Sequence, residues 1–166
     1  MRISEIIKLY EAPEDGTFAG VKFDQSSIQT LKNFIDENKI PNPTPPEDYH
    51  VTLLFSHTPL PNYEPVGSYK QALTAIPKYA TIFGEDEEKA LVIVLDAPGL
   101  VKRHKYLMNK HPEATWDHDE YLPHVTLSYD VGDFNIEKLN VDDIGMLQII
   151  EEYSDDIEPD WEKNLE

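Results

Sequence analysis

His50-Val51-Thr52-Leu53 and His124-Val125-Thr126-Leu127 spell one tetrapeptide twice, 74 residues apart, and each leads to an aromatic residue, Phe55 or Tyr129. A tetrapeptide recurs by accident in roughly one chain in ten of this length, so identity alone is a weak repeat signal and the setting decides. Both stretches alternate apolar with polar residues, which is the period of a half-buried strand. Side chains along a strand point to opposite faces in turn. Val51, Leu53 and Phe55 are therefore expected on one face, with His50 and Thr52 on the other; Val125, Leu127 and Tyr129 likewise oppose His124, Thr126 and Ser128. Each strand offers an apolar side to a core and a His/Thr side to something else.

The flanks of the two motifs are alike in kind. Before the first, Phe18 to Phe23 reads as a strand, and Asp24 or Ser26 can cap a helix whose apolar stripe is Ile28, Leu31, Phe34 and Ile35. Pro41, Pro43, Pro45 and Pro46 then hold the chain extended up to the His50 strand, because proline fixes φ and removes a donor. Before the second, Lys78 to Phe83 and Ala90 to Asp96 read as strands of a hairpin around the acidic turn Gly84 to Glu88. After Pro98 and Gly99 comes a helix with Leu100, His104, Leu107, Met108 and His111 on one stripe, ended by Pro112. A leading helix over Ser4 to Tyr10 and a last strand over Met146 to Tyr153 complete an α+β pattern in two similar halves, expected to form one domain over 1–166.

Composition bounds what such a chain can do. Of its 166 residues 40% are hydrophobic and 10% aromatic, enough for one sizeable core. The lack of cysteine excludes disulfide staples, thiolate metal sites and thiol nucleophiles, and fits a reducing cytoplasm. No run of about eighteen apolar residues reads as a membrane span, and no secretory signal is legible. A formal charge of -18 opposes binding to polymeric nucleic acid, since that affinity comes from Lys and Arg neutralising phosphates. The segment 142–166 alone carries a net -9, and Trp161 inside it makes the acidic tail, about 154–166, a candidate lid rather than only a solvated extension.

If the two halves are related by a pseudo-twofold axis, the His/Thr faces meet across a cleft and bring two imidazoles and two hydroxyls to one site. One neutral imidazole can accept a proton from an attacking hydroxyl while a second, protonated one donates to a leaving oxygen. The threonines can donate to non-bridging phosphate oxygens, where charge develops. This suits phosphodiester cleavage without a cofactor or metal. A zinc site at His118 and His124, with Asp117 or Asp119, lacks a third suitably spaced ligand.

Paired His-x-Thr motifs on two strands of an α+β chain resemble the 2H phosphoesterase superfamily, which implies a bilobal fold with two antiparallel sheets around a central cleft. The opening Ile3-Ser4-Glu5-Ile6-Ile7-Lys8-Leu9-Tyr10-Glu11-Ala12-Pro13, the stretch Gly20-Val21-Lys22-Phe23 and the acidic Trp161 tail are similar to the phage anti-CBASS protein 1 family. That resemblance implies a viral nuclease acting in the infected bacterial cytoplasm on the cyclic di- and trinucleotides that signal infection. It maps the catalytic roles onto His50, Thr52, His124 and Thr126, and implies attack of a ribose 2′-hydroxyl on the adjacent phosphate. Which histidine is base and which acid stays open.

Tyr10 and Trp161 are candidate stacking platforms for a base, and Glu152 is a candidate acceptor for a base edge. Lys102, Arg103, Lys105 and Lys110 form the one basic cluster and could offset the global charge for an incoming dianion; His104 and His111 read as packing residues. His57 has no partner legible in the sequence. Two other readings remain: a related enzyme acting on 2′,3′-cyclic phosphate RNA ends or 2′,5′-linked oligonucleotides, and an acidic protein that sequesters a ligand or mimics nucleic acid without catalysis.

Overall fold

The computed structural model describes residues 16–84 and 88–157. The expected leading helix, Tyr10 and Trp161 lie outside them. Six strands occur in the order β1 (Gly16–Phe23), β2 (Val51–Ser56), β3 (Gly67–Phe83), β4 (Ala90–Asp96), β5 (His124–Ser128) and β6 (Leu147–Ile157). Helix α1 (Gln25–Glu37) joins β1 to β2, and α2 (Pro98–Lys110) joins β4 to β5. Among the described residues no helix is long and apolar enough to cross a membrane.

The strands pair antiparallel in the closed order β1-β2-β5-β4-β3-β6. This corrects the expectation of two separate sheets. At the centre β2 and β5 share one pair, Val51 with Val125, the second residue of each motif. From that point the order is symmetric: β2, β1 and β6 on one side answer β5, β4 and β3 on the other. The halves stay continuous because β6 pairs with both β1 and β3. The single β2–β5 pair lets those strands diverge, and so opens a cleft within one sheet instead of between two.

Local chemistry places each element. The Asp24 carboxylate accepts from the Ser27 backbone N–H at 2.8 Å and caps α1. That helix buries Leu31, Phe34 and Ile35 against the sheet, while α2 buries Leu100, His104 and Leu107. The main core joins these apolar residues to Val51, Leu53, Leu54, Ile93, Val125 and Leu127. Each fully buried aliphatic side chain contributes about 1.5–3 kcal/mol. A smaller apolar cluster of Ala90, Val92 and Val94, with Phe83, Leu122 and Tyr129 against it, lies on the opposite face of β4.

Strand β3 is far longer than its expected 78–83. Gly67, Ser68, Leu73, Thr74 and Ala75 pair with β6, a partner distant in sequence, with an irregularity between Ser68 and Leu73, and Pro77 sits where the register with β4 shifts. A proline that cannot donate to the ladder is accommodated at such an irregularity.

Candidate active site

Both motifs carry the same β-bulge. In β2 the pairing with β1 steps from Gly20–Thr52 to Ala19–Leu54, which leaves Leu53 as the extra residue. In β5 the pairing with β4 steps from Val92–Thr126 to Leu91–Ser128, which leaves Leu127 extra. An extra residue breaks the two-residue alternation. Leu53 and Leu54 therefore both enter the main core, and Phe55 crosses to meet Phe18, whose ring edge also meets His50 at 5.9 Å. Tyr129 crosses likewise and packs by Val92. Phe55 and Tyr129 thus leave the face expected of them, because strict alternation ends at each bulge.

His50, Thr52, His124 and Thr126 line one cavity of about 430 Å³, so the two His/Thr faces do meet. Phe83, His118 and Tyr129 join its wall, and none of them was singled out from the sequence as a wall of the site. The aromatic position that follows each motif was the available signal for Tyr129; Phe83 comes from the end of β3 and His118 from the segment before β5, and neither carried one.

The two imidazoles are held in the same way. His50 Nδ1 lies 2.9 Å from the Asp48 carbonyl and His124 Nδ1 lies 2.9 Å from the Leu122 carbonyl, each two residues upstream. A carbonyl only accepts, so Nδ1 of each ring carries the proton and Nε2 is left as the nitrogen with a lone pair for proton exchange. Each ring also takes an aromatic edge, Phe18 on His50 and Phe83 on His124, the latter at 5.0 Å. Proline helps set both carbonyls: Pro45 and Pro46 precede Asp48, and Pro123 biases Leu122 toward an extended backbone.

Burial lowers the His50 pKa to about 3, with the charge of His124 acting in the same direction. Burial also lowers His124, against a raising hydrogen bond to the Leu122 carbonyl. His50 is buried and His124 half-buried, so a single proton shared by the pair belongs on His124.

Glu152 does not line this cavity. Its buried carboxylate accepts from Arg103 Nε and Nη2 at 2.9 Å each, from Tyr63 Oη at 2.8 Å, from Tyr69 Oη at 3.0 Å and from the Val66 N–H at 3.0 Å. Burial alone would raise its pKa, yet the bonds from Arg103, Tyr63 and Val66 bring it below the usual glutamate value. Its carboxylate is engaged by donors of the fold, away from the wall of the cavity, and Arg103 is paired with it. His104 packs as expected: its Nδ1 donates to the Leu53 carbonyl at 2.8 Å, and its ring stacks on Tyr121 at 4.2 Å. His57 pairs with Asp117 at 2.9 Å.

Comparison with known proteins agrees with the resemblance in the motifs. A family model described as "Anti-CBASS protein Acb1" matches residues 15–164. The anti-CBASS protein Acb1 of Acinetobacter phage Ac42 is 34% identical over 161 residues, spanning 97% of this chain and 99% of its own. Those of Salmonella phage S16 and Enterobacteria phage T4 are 30% and 29% identical, each spanning 90% of this chain and 93% of its own. The crystal structure of TT0787 of Thermus thermophilus overlaps 83% of this chain and 82% of its own at 13% identity, with a TM-score of 0.49. With a family model over nearly the whole chain and relatives alike from end to end, the chain belongs to the anti-CBASS protein Acb1 family.

Proposed function

We propose that this member of a family that counteracts CBASS immunity does so as a phosphodiesterase that opens cyclic di- and trinucleotides, with His50 as the first base and His124 as the first acid. The observation that carries the reading is the matched pair of imidazoles, each bonded through Nδ1 to the backbone, on the wall of one cavity with two threonines. A ribose 2′-hydroxyl gives its proton to His50 Nε2 as its oxygen attacks the adjacent 3′-phosphate. The P–O5′ bond breaks, and the leaving oxygen takes the proton from His124 Nε2. The Thr52 and Thr126 hydroxyls donate to the non-bridging oxygens as charge grows there.

The first step makes a 2′,3′-cyclic phosphate. Water then attacks the same phosphorus with the proton roles reversed, leaving a linear product that ends in phosphate. The depressed pKa of His50 keeps it neutral and able to accept. The anionic substrate raises the pKa of His124 on binding and supplies the protonated acid. No step draws on a metal.

The test incubates the purified chain in EDTA with cyclic dinucleotides, a cyclic trinucleotide and an RNA with a 2′,3′-cyclic end, and separates the products. Linear products ending in phosphate from the cyclic oligonucleotides are expected. Reaction of the RNA end alone would overturn the substrate, and reaction only after a divalent metal is restored would overturn the mechanism.

A further inference from the structure

Beside the catalytic cavity lies a second of about 210 Å³, and Thr52, Phe83, His118 and His124 wall both. Its remaining walls are Trp116, Tyr121 and Leu122, with Asp119 and Glu120 at the rim. We propose that this second cavity is a base subsite in which Trp116 stacks on one purine or pyrimidine ring of the substrate whose phosphate sits between His50 and His124. The proposal rests on the function proposed above and adds to it the residue that seats a base.

Trp116 is half-buried and held in place before any ligand arrives. Its Nε1 donates to the Glu120 carbonyl at 3.3 Å, and its ring meets the edge of His104 at 4.6 Å and tilts toward Tyr121 at 5.6 Å. An indole so fixed loses little freedom when a flat ring stacks on it. His104, Tyr121 and Trp116 form a run of rings from the buried face of α2 to this cavity, and aromatic surfaces of this kind take any base because every base has a π-face.

Charge assigns the parts of a nucleotide to the two cavities. Both cavities share His118, His124 and Thr52, but only the first adds His50 and Thr126, a second imidazole–hydroxyl pair that suits a phosphate. The second has two exposed carboxylates at its rim, which repel an anion and accept a neutral ring that offers N–H donors. The two are joined mechanically as well, for Tyr121 Oη donates to the Thr52 carbonyl at 2.8 Å. A base against Tyr121 and Trp116 therefore bears on the strand that carries a catalytic threonine.

The test uses the full chain carrying Trp161→Phe, in which Trp116 is the one remaining tryptophan, titrated with a non-hydrolysable phosphorothioate cyclic dinucleotide. Saturable quenching of its fluorescence is expected. Trp116→Leu in the natural chain is expected to weaken binding of the same probe by about fivefold to a hundredfold, with Trp116→Phe restoring most of it. Absence of quenching, or an unchanged affinity in Trp116→Leu, overturns the subsite even where cyclic dinucleotides are cleaved. Quenching by a chain that cleaves nothing overturns the catalytic reading and leaves base stacking on Trp116 standing. Should Trp116→Leu fail to fold, the titration alone decides.

Discussion

The His/Thr cavity and the Glu152 network are both built from polar side chains that the fold takes from water, and they are completed in opposite ways. Glu152 meets five donors, among them a bidentate guanidinium, and every one belongs to the protein. His50 and His124 each give one nitrogen to a backbone carbonyl and stand on the wall of a cavity. A group whose bonds are filled by its own chain holds elements together; here the carboxylate ties β6 to α2 and to the approach to β3. A group with its proton-exchanging nitrogen at a cavity can do chemistry, at the cost of a depressed pKa. The contrast separates two sets of polar residues that the sequence alone assigns to one site.

The largest effects should fall on turnover. Replacing His50 or His124 with Ala is expected to lower kcat by about 10²- to 10⁴-fold for each proton-transfer role, with the circular dichroism spectrum and thermal midpoint close to the parent. Full turnover in both variants would erase the distinction between the two regions. Glu152→Ala should behave in the reverse manner, because it leaves the Arg103 guanidinium in the fold without its carboxylate. Breaking such a pair costs about 3–5 kcal/mol of unfolding free energy, read by denaturant titration, while the surviving folded fraction should still turn over.

Thr126→Val keeps the shape and removes one donor to the phosphate. The expected loss in kcat is about 10²- to 10³-fold with little change in stability. A loss confined to KM would place the hydroxyl in ground-state binding instead. The smallest effect is a pH dependence of stability. His50, His104 and His124 all have pKa values lowered first by burial. The unfolded chain takes up their protons near pH 6.5 and the folded chain resists, so stability is full above that value and is lost as pH falls, for His50 down toward about 3. His50→Gln should flatten that fall, as measured by thermal midpoints across the range.

Much of the fold was legible in short-range chemistry. Asp24 caps α1 as expected, the stripe Leu31, Phe34 and Ile35 is the buried one, and His104 packs. The halves on either side of Val51 and Val125 were legible because a repeated tetrapeptide folds into the same local strand and meets itself across the axis. The first half of β3 was not legible, since its alternation is weak and its partner β6 lies far along the chain. Trp116 was missed for a like reason, as its loop becomes a wall only where α2 and β2 are close by.

The sequence by itself determined that His50 and Thr52 share one strand face and His124 and Thr126 another, the two-half order of elements and the acidic balance, because strand period, capping and side-chain chemistry act within a few residues. Only the tertiary structure decided that one continuous sheet replaces two, that the twin bulges at Leu53 and Leu127 carry Phe55 and Tyr129 across, and that Glu152 binds Arg103 rather than lining the cavity. Those outcomes depend on which strand pairs with which and on where a long side chain finds its donors. Pairing across many residues is set by the burial of whole faces, which no local stretch contains.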